Sequence, residues 1–170
     1  MKEKYNAITI KILIGVLGVI SIFFLDRWVL PQERIQDEIY GYRKIFKYSK
    51  NKFSSGSRSV IGYIYYTQKG FEFSTEKRIT KEAEKITVQR SLFGNLTSLR
   101  SDDNDYSDKV LSGFNGSCLY ITIGLAISIL ISLLILLQFN TGLSENGFQN
   151  IILLNIMLAL YALYVAYLYN

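Results

Sequence analysis

Residues 121–139 read ITIGLAISILISLLILLQF, nineteen positions without a charge. Starting from Cys118, the run covers about 22 residues, and at 1.5 Å of rise per residue that spans a hydrocarbon core of about 30 Å. A helix buried in a soluble protein carries a polar stripe, and this one does not. The stretch therefore reads as a transmembrane helix, and the rest of the chain has to be read around it.

Two further apolar blocks flank the charged middle of the chain. IILLNIMLALYALYVAYLY, 151–169, has Asn155 as its one strongly polar residue. Tyr161, Tyr164, Tyr167 and Tyr169 crowd its end, as expected of rings that sit at a membrane–water boundary. ILIGVLGVISIFFL, 12–25, is short enough for a signal-peptide core and is preceded by Lys2, Lys4 and Lys11. FFLDRW follows it with no A-x-A-like cleavage site. Extended back to Ala7, with Lys11 snorkelling and Trp28 at the far boundary, it reads as an uncleaved anchor. The linking stretch NTGLSENGFQ, 140–149, is short and rich in turn residues, so the second and third helices form an antiparallel hairpin.

Small residues mark the faces on which these helices pack. Gly124, Ser128 and Ser132 recur every four positions, a spacing that lets another helix approach closely. Asn155, Ala159, Ala162 and Ala166 share one face of the third helix, from which Asn155 reaches Ser128 or Ser132. Gly15 and Gly18 give the first helix a thinner small patch.

Most of the charge falls between about 31 and 115, and the pattern there changes to alternation. FEFSTEKRI, 71–79, puts Phe71, Phe73, Thr75, Lys77 and Ile79 on one face of a half-buried strand. VIGYIYYTQ, 60–68, precedes it through a tight turn at Gly70, which makes a hairpin. ITVQRSL, 86–92, is another strand, with Ile86, Val88 and Leu92 on one face, and LTSL, 96–99, adds a short one. EIYGYRKIFKY, 38–48, reads as a strand from about 39 after a short juxtamembrane helix. NKFSSGSRS, 51–59, is a loop, and TKEAEK, 80–85, is the only candidate for a turn or two of helix.

The expected fold class is membrane α+β: three transmembrane helices with a small antiparallel β-sheet or barrel domain inserted between helices 1 and 2. Residues 1–30 hold the N-terminal tail and first helix, and 31–100 the β-domain. Residues 101–117 form an acidic, Gly/Ser-containing linker, and 118–170 the helical hairpin. The layout resembles that of small bacterial membrane proteins with a β-domain between transmembrane helices.

The composition narrows the chemistry. The 170 residues include no His and a single cysteine, Cys118, so an internal disulfide and a zinc site built on Cys and His are both excluded. SDDNDYSD, 101–108, places Asp103, Asp105 and Ser107 at positions 1, 3 and 5 of a calcium-loop pattern. Asp108 then stands where the loop needs Gly, and Phe114 where it needs Glu, so the stretch reads as a solvated linker. SSGSRS lacks a nucleophile elbow, and no phosphate-binding glycine loop is present. Arg43, Lys44, Lys47, Lys50 and Lys52 interleave with Tyr42, Phe46, Tyr48 and Phe53. That pattern suits single-stranded nucleic acid, but beside a bilayer it reads as lipid contact or a solvated sheet edge.

The net charge of +5 and pI near 9.2 fit membrane-flanking basic residues. Lys2, Lys4 and Lys11 favour an inside N-terminus, while Arg27, Arg34 and Lys109 favour a cytoplasmic β-domain, and the balance tips to the latter. The composition suggests a bacterial inner-membrane protein. The expected function is a non-enzymatic accessory or interaction subunit that binds another membrane or envelope protein or itself, with no cofactor and no metal. The alternatives are an oligomeric channel or transporter component acting through the Gly124, Ser128, Ser132 and Asn155 faces, and a membrane-tethered enzyme.

Overall fold

The computed structural model describes residues 2–49, 57–79, 85–101, 104–138 and 143–169. Within them lie three helices, each long and apolar enough to cross a membrane, and a curled five-stranded antiparallel sheet. Residues 51–56, 80–84 and 140–142, where the sequence expects loops and a helical turn, lie outside the described residues, as do Asp102 and Asp103.

Helix α1 runs Lys2–Trp28 and stops just before Pro31, the only proline in the chain. The residue before a proline is pushed out of helical geometry, so the chain leaves the helix extended. It passes directly into β1, Glu33–Ser49, six residues before the expected strand start and with no intervening helix. Strands β2 (Ser57–Thr67), β3 (Glu72–Thr75), β4 (Lys85–Arg90) and β5 (Leu96–Ser101) follow. Their order is β3-β2-β1-β4-β5.

Strand β1 organises the domain because its two halves pair differently. Glu33–Glu38 pair with β4, and Ile39–Ser49 pair with β2. The register shifts between Ile39 and Gly41, so β1 belongs to two half-sheets that bend away from each other. Ile39, Tyr65, Phe73, Ile86, Val88 and Leu99 fill the space between them. Tyr65 stacks on Phe73 with ring centroids 5.4 Å apart, and its hydroxyl accepts the Ile79 amide at 3.0 Å.

The segment expected as a solvated linker is packed where it is described. The Tyr106 amide donates to the Leu99 carbonyl on one half-sheet (2.8 Å), and the Leu111 amide to the Ser74 carbonyl on the other (2.8 Å). Bridges Arg100–Asp105 and Thr75–Val110 complete the link, and Val110 enters the core. Residues 104–111 thus join the two free edges, and two apolar residues, Val110 and Leu111, give this otherwise polar stretch a reason to fold inward.

Two expected strand faces end early. β3 stops at Thr75, because Glu76 turns its amide to the Lys109 carbonyl of the closing segment (2.9 Å). β4 stops at Arg90, so Leu92 sits on an exposed turn while Ile86 and Val88 are buried.

Helix α2 spans Gly116–Gln138 and α3 spans Glu145–Tyr169. Ser144 caps α3: its hydroxyl accepts the Gly147 amide at 3.1 Å. Leu13 and Ile20 of α1 pack on Leu125, Ile129, Leu133 and Leu136 of α2. α3 lies antiparallel to α2 on another side, leaving long aliphatic faces of α1 and α3 exposed.

Candidate functional site

Two polar constellations stand out, one where the helices meet the sheet and one inside the helical bundle. The first begins with the adjacent pair Asp26–Arg27 near the end of α1. Asp26 is 0 % exposed. Its carboxylate accepts from the Ser91 hydroxyl at 2.5 Å, the Phe93 amide at 3.0 Å and the Asn95 side-chain amide at 3.1 Å. All three donors belong to the tight turn between β4 and β5. The turn is held by the Gly94 amide donating to the Ser91 carbonyl (2.9 Å) and by a φ of 84° at Gly94, the left-handed region where glycine has no Cβ penalty. A carboxylate with three donors is a common way of keeping a buried charge satisfied.

Arg27 points the other way. Its Nη1 donates to the Phe114 carbonyl at 2.7 Å and to Asn115 Oδ1 at 2.6 Å. Asn115 is itself buried and donates from Nδ2 to the carbonyls of Leu96 (2.5 Å) and Ser112 (2.8 Å). Its own carbonyl accepts the Leu119 amide in the first turn of α2. The third helix joins through its last turn, where Ser74 Oγ donates to the Tyr169 carbonyl at 2.7 Å. Phe24 and Phe114, edge to face at 5.3 Å, fill the apolar space beside these bonds. All three helices are therefore tied to the sheet at one level by side-chain hydrogen bonds.

The second constellation is the α2–α3 contact. Asn155, 6 % exposed, uses both amide hydrogens: one goes to Ser132 Oγ at 2.8 Å, the other to the Ile151 carbonyl at 2.8 Å. Ser132 passes its own proton to the Ser128 carbonyl at 2.7 Å. Ser132 is buried, Ser128 half-buried and Gly124 exposed, so the Gly124/Ser128/Ser132 row winds out of the contact. A Cβ added at Gly124, Gly15 or Gly18 would meet nothing within 4 Å. Ala159 packs on the bundle core, Ala166 on the cluster of Phe114, Cys118 and Val165, and Ala162 is half-buried.

The remaining candidates are dispersed. Asp105 accepts from the Ser107 hydroxyl at 2.5 Å and the Ser107 amide at 3.0 Å, and pairs with Arg100 at 2.9 Å. The bonds from Ser107, with Arg100 adding to them, hold its carboxyl below the usual aspartate range. A hollow of about 480 Å³ opens at the bend of β1, beside Asp37 and Lys69. Asp37 spends its carboxylate on the backbone amides of Glu38 and Lys69. Of the basic, aromatic stretch, Arg43, Lys44 and Lys47 lie on β1, and Arg58 of β2 stacks on Phe46 at 3.6 Å. Among the described residues no three Cys, Asp or Glu side chains come together as metal ligands.

Asp26 is the residue that pattern reading passes over. Its signal was an acid at the end of an apolar run, where an ionisable group requires a partner. Compared with known proteins, the chain matches no family model, no curated protein and no solved structure at a significant level.

Proposed function

We propose that the chain is an integral membrane protein with three spanning helices and that it acts as a non-catalytic accessory subunit, binding another membrane or envelope protein. The observation that carries this reading is the Asp26–Arg27–Asn115 junction. Polar side chains at the base of the sheet are turned inward to hold the domain on the helices. The sheet is then presented in one pose above the bilayer, which suits recognition of a partner held in the same membrane.

The outer surface of the sheet offers an aromatic patch for that purpose. Tyr40 is 63 % exposed and lies beside Tyr66, with ring centroids 6.2 Å apart. Tyrosine in such a position supplies contact area at little entropic cost and is common in interfaces. The test is purification from native membranes in mild detergent. One stoichiometric partner is expected, and Tyr40→Lys is expected to release it. Repeated purification of the chain alone, or a partner that ignores Tyr40→Lys and other outer-face charges, counts against the reading.

A further inference from the structure

Leu92 and Phe93 form the tip of the β4–β5 turn and are 69 % and 56 % exposed, yet the turn is held against a helix. The Phe93 ring lies 6.4 Å from that of Phe23, and the Phe93 amide donates to Asp26 at 3.0 Å. Both partners fall within Tyr5–Trp28, the part of α1 that is long and apolar enough to cross a membrane.

The depth of this contact follows independently from α3. Its apolar run, 151–169, has nineteen residues. At 1.5 Å each that is about 28 Å, which only just covers a hydrocarbon core of about 30 Å. The Tyr169 end of α3 therefore lies close to the membrane boundary. Tyr169 and Phe24 pack on one cluster of Phe114, Cys118 and Val165, so Phe24 lies near that boundary as well. Phe23 is the neighbouring residue, about 1.5 Å of rise away, and it brings the turn to the same level.

The turn's backbone is suited to that position. Of the five amides in 91–95, four donate within the protein: Ser91 to the Asn95 carbonyl, Phe93 to Asp26, Gly94 to the Ser91 carbonyl and Asn95 to Ser91 Oγ. A turn in water can leave such groups to the solvent, whereas backbone beside hydrocarbon has to be satisfied by the protein. Polarity is graded in the same sense. Trp28, an interfacial residue type, stacks on Phe24 at this level. Arg90 and Glu33, cross-strand partners and both exposed, border a hollow of about 370 Å³ beside the tip, where charge meets headgroups and water.

Resting on the reading of the chain as a three-span membrane protein, we propose that the β4–β5 turn is a membrane foot, with Leu92 and Phe93 entering the boundary layer of the bilayer beside α1. The occupant that covers the two side chains is lipid. A protein partner is a poor alternative, because two side chains fall far short of the roughly 800 Å² that each side of a stable interface buries. The foot fixes the height of the sheet, as the Asp26 bonds fix its attachment.

The test reconstitutes the full chain in vesicles of phosphatidylethanolamine and phosphatidylglycerol. Trp28→Phe leaves the emission to one new tryptophan at a time: Phe93→Trp, Leu92→Trp, Tyr40→Trp on the outer face of the sheet, or Ile127→Trp midway along α2. Lipids brominated near the headgroup or near the chain end, and acrylamide in the water, serve as quenchers. Phe93→Trp and Leu92→Trp are expected to emit further to the blue than Tyr40→Trp. They are expected to be quenched several-fold more by shallow bromine and several-fold less by acrylamide. Each variant is first checked to melt like Trp28→Phe, and Leu92→Trp, at an exposed side chain, carries the test if Phe93→Trp melts early. Acrylamide quenching equal to that of Tyr40→Trp overturns the proposal. Protection from both quenchers overturns it too, because a second copy then covers the tip. If the tip fails but deep bromine quenches Ile127→Trp, the foot falls and the membrane reading stands. If Ile127→Trp is also indifferent to bromine, both fall.

Discussion

Replacing Asp26 by Leu puts the junction to its most direct test. The carboxylate is fully buried and answers three donors: the Ser91 hydroxyl, the Phe93 amide and the Asn95 amide. Leucine answers none of them. A donor stripped of its acceptor in a buried site costs about 1–3 kcal/mol. Ser91 is fully enclosed, while Phe93 and Asn95 are partly exposed and recover some hydration, so the three losses do not sum in full. An overall loss of about 3–5 kcal/mol follows, comparable with breaking a buried charged contact. For a chain of this size, 1 kcal/mol moves the midpoint by about 2–4 °C, so Tm falls by about 6–20 °C. The chain provides its own reporter. Trp28, the only tryptophan, lies two residues from Asp26 and stacks on Phe24 at 5.0 Å. Its fluorescence, followed on heating the detergent-solubilised protein, reads the junction directly. Asp26→Asn keeps one acceptor oxygen and is expected to fall between the parent and Asp26→Leu. A midpoint for Asp26→Leu within 2 °C of the parent would refute the claim that this carboxylate ties the sheet to the helices.

Other perturbations have different signs. Asn155→Leu removes one cross-helix bond but also removes a buried oxygen that has no donor, so the melting free energy is expected to move by less than about 1 kcal/mol, measured by the same Trp28 signal. Gly62→Ala brings a Cβ to 3.0 Å from the Thr75 carbonyl, where backbone cannot yield cheaply, and is expected to cost about 1–3 kcal/mol in urea unfolding. Because the folded Asp105 carboxyl lies below its unfolded value, its contribution is complete above the unfolded pKa and is lost as pH falls through the folded one. Acid is therefore expected to loosen residues 104–107 from Leu99, seen in amide exchange, and Asp105→Asn is expected to abolish that pH dependence.

Much of the fold could be read because its cause is local. The charge-free run at 121–139 has no environment but hydrocarbon or a protein interior, and the aromatic, β-branched run at 60–68 and the period-two alternation at 71–75 and 86–90 suit a sheet. Spacing also placed Asn155 within reach of both Ser128 and Ser132, and the register of α3 on α2 selects Ser132. Where local reading stops, the causes are contacts far apart in sequence. Nothing near FFLDRW announces that Asp26 will meet Ser91 and Asn95, 65 and 69 positions later. The double pairing of β1 is equally remote, because β2 and β4 compete for it and only the bend at Ile39–Gly41 shares it between them.

The stretch 101–111 shows the division most clearly. By composition it is a polar spacer, and composition reports only what each residue prefers on its own. Two open sheet edges, one on β5 just before the stretch and one on β3 far earlier in the chain, supply the backbone partners that draw 104–111 into the structure. The sequence by itself determined the three apolar helices, the strand-rich middle and the absence of histidine chemistry, because these follow from side chains and their immediate period. Only the tertiary structure decided the edge closure, the Asp26–Arg27–Asn115 junction and the choice of Ser132 as the partner of Asn155. Each of those is set by where hydrogen-bonding groups meet in space, and unmet backbone or side-chain donors and acceptors are too costly to leave to chance.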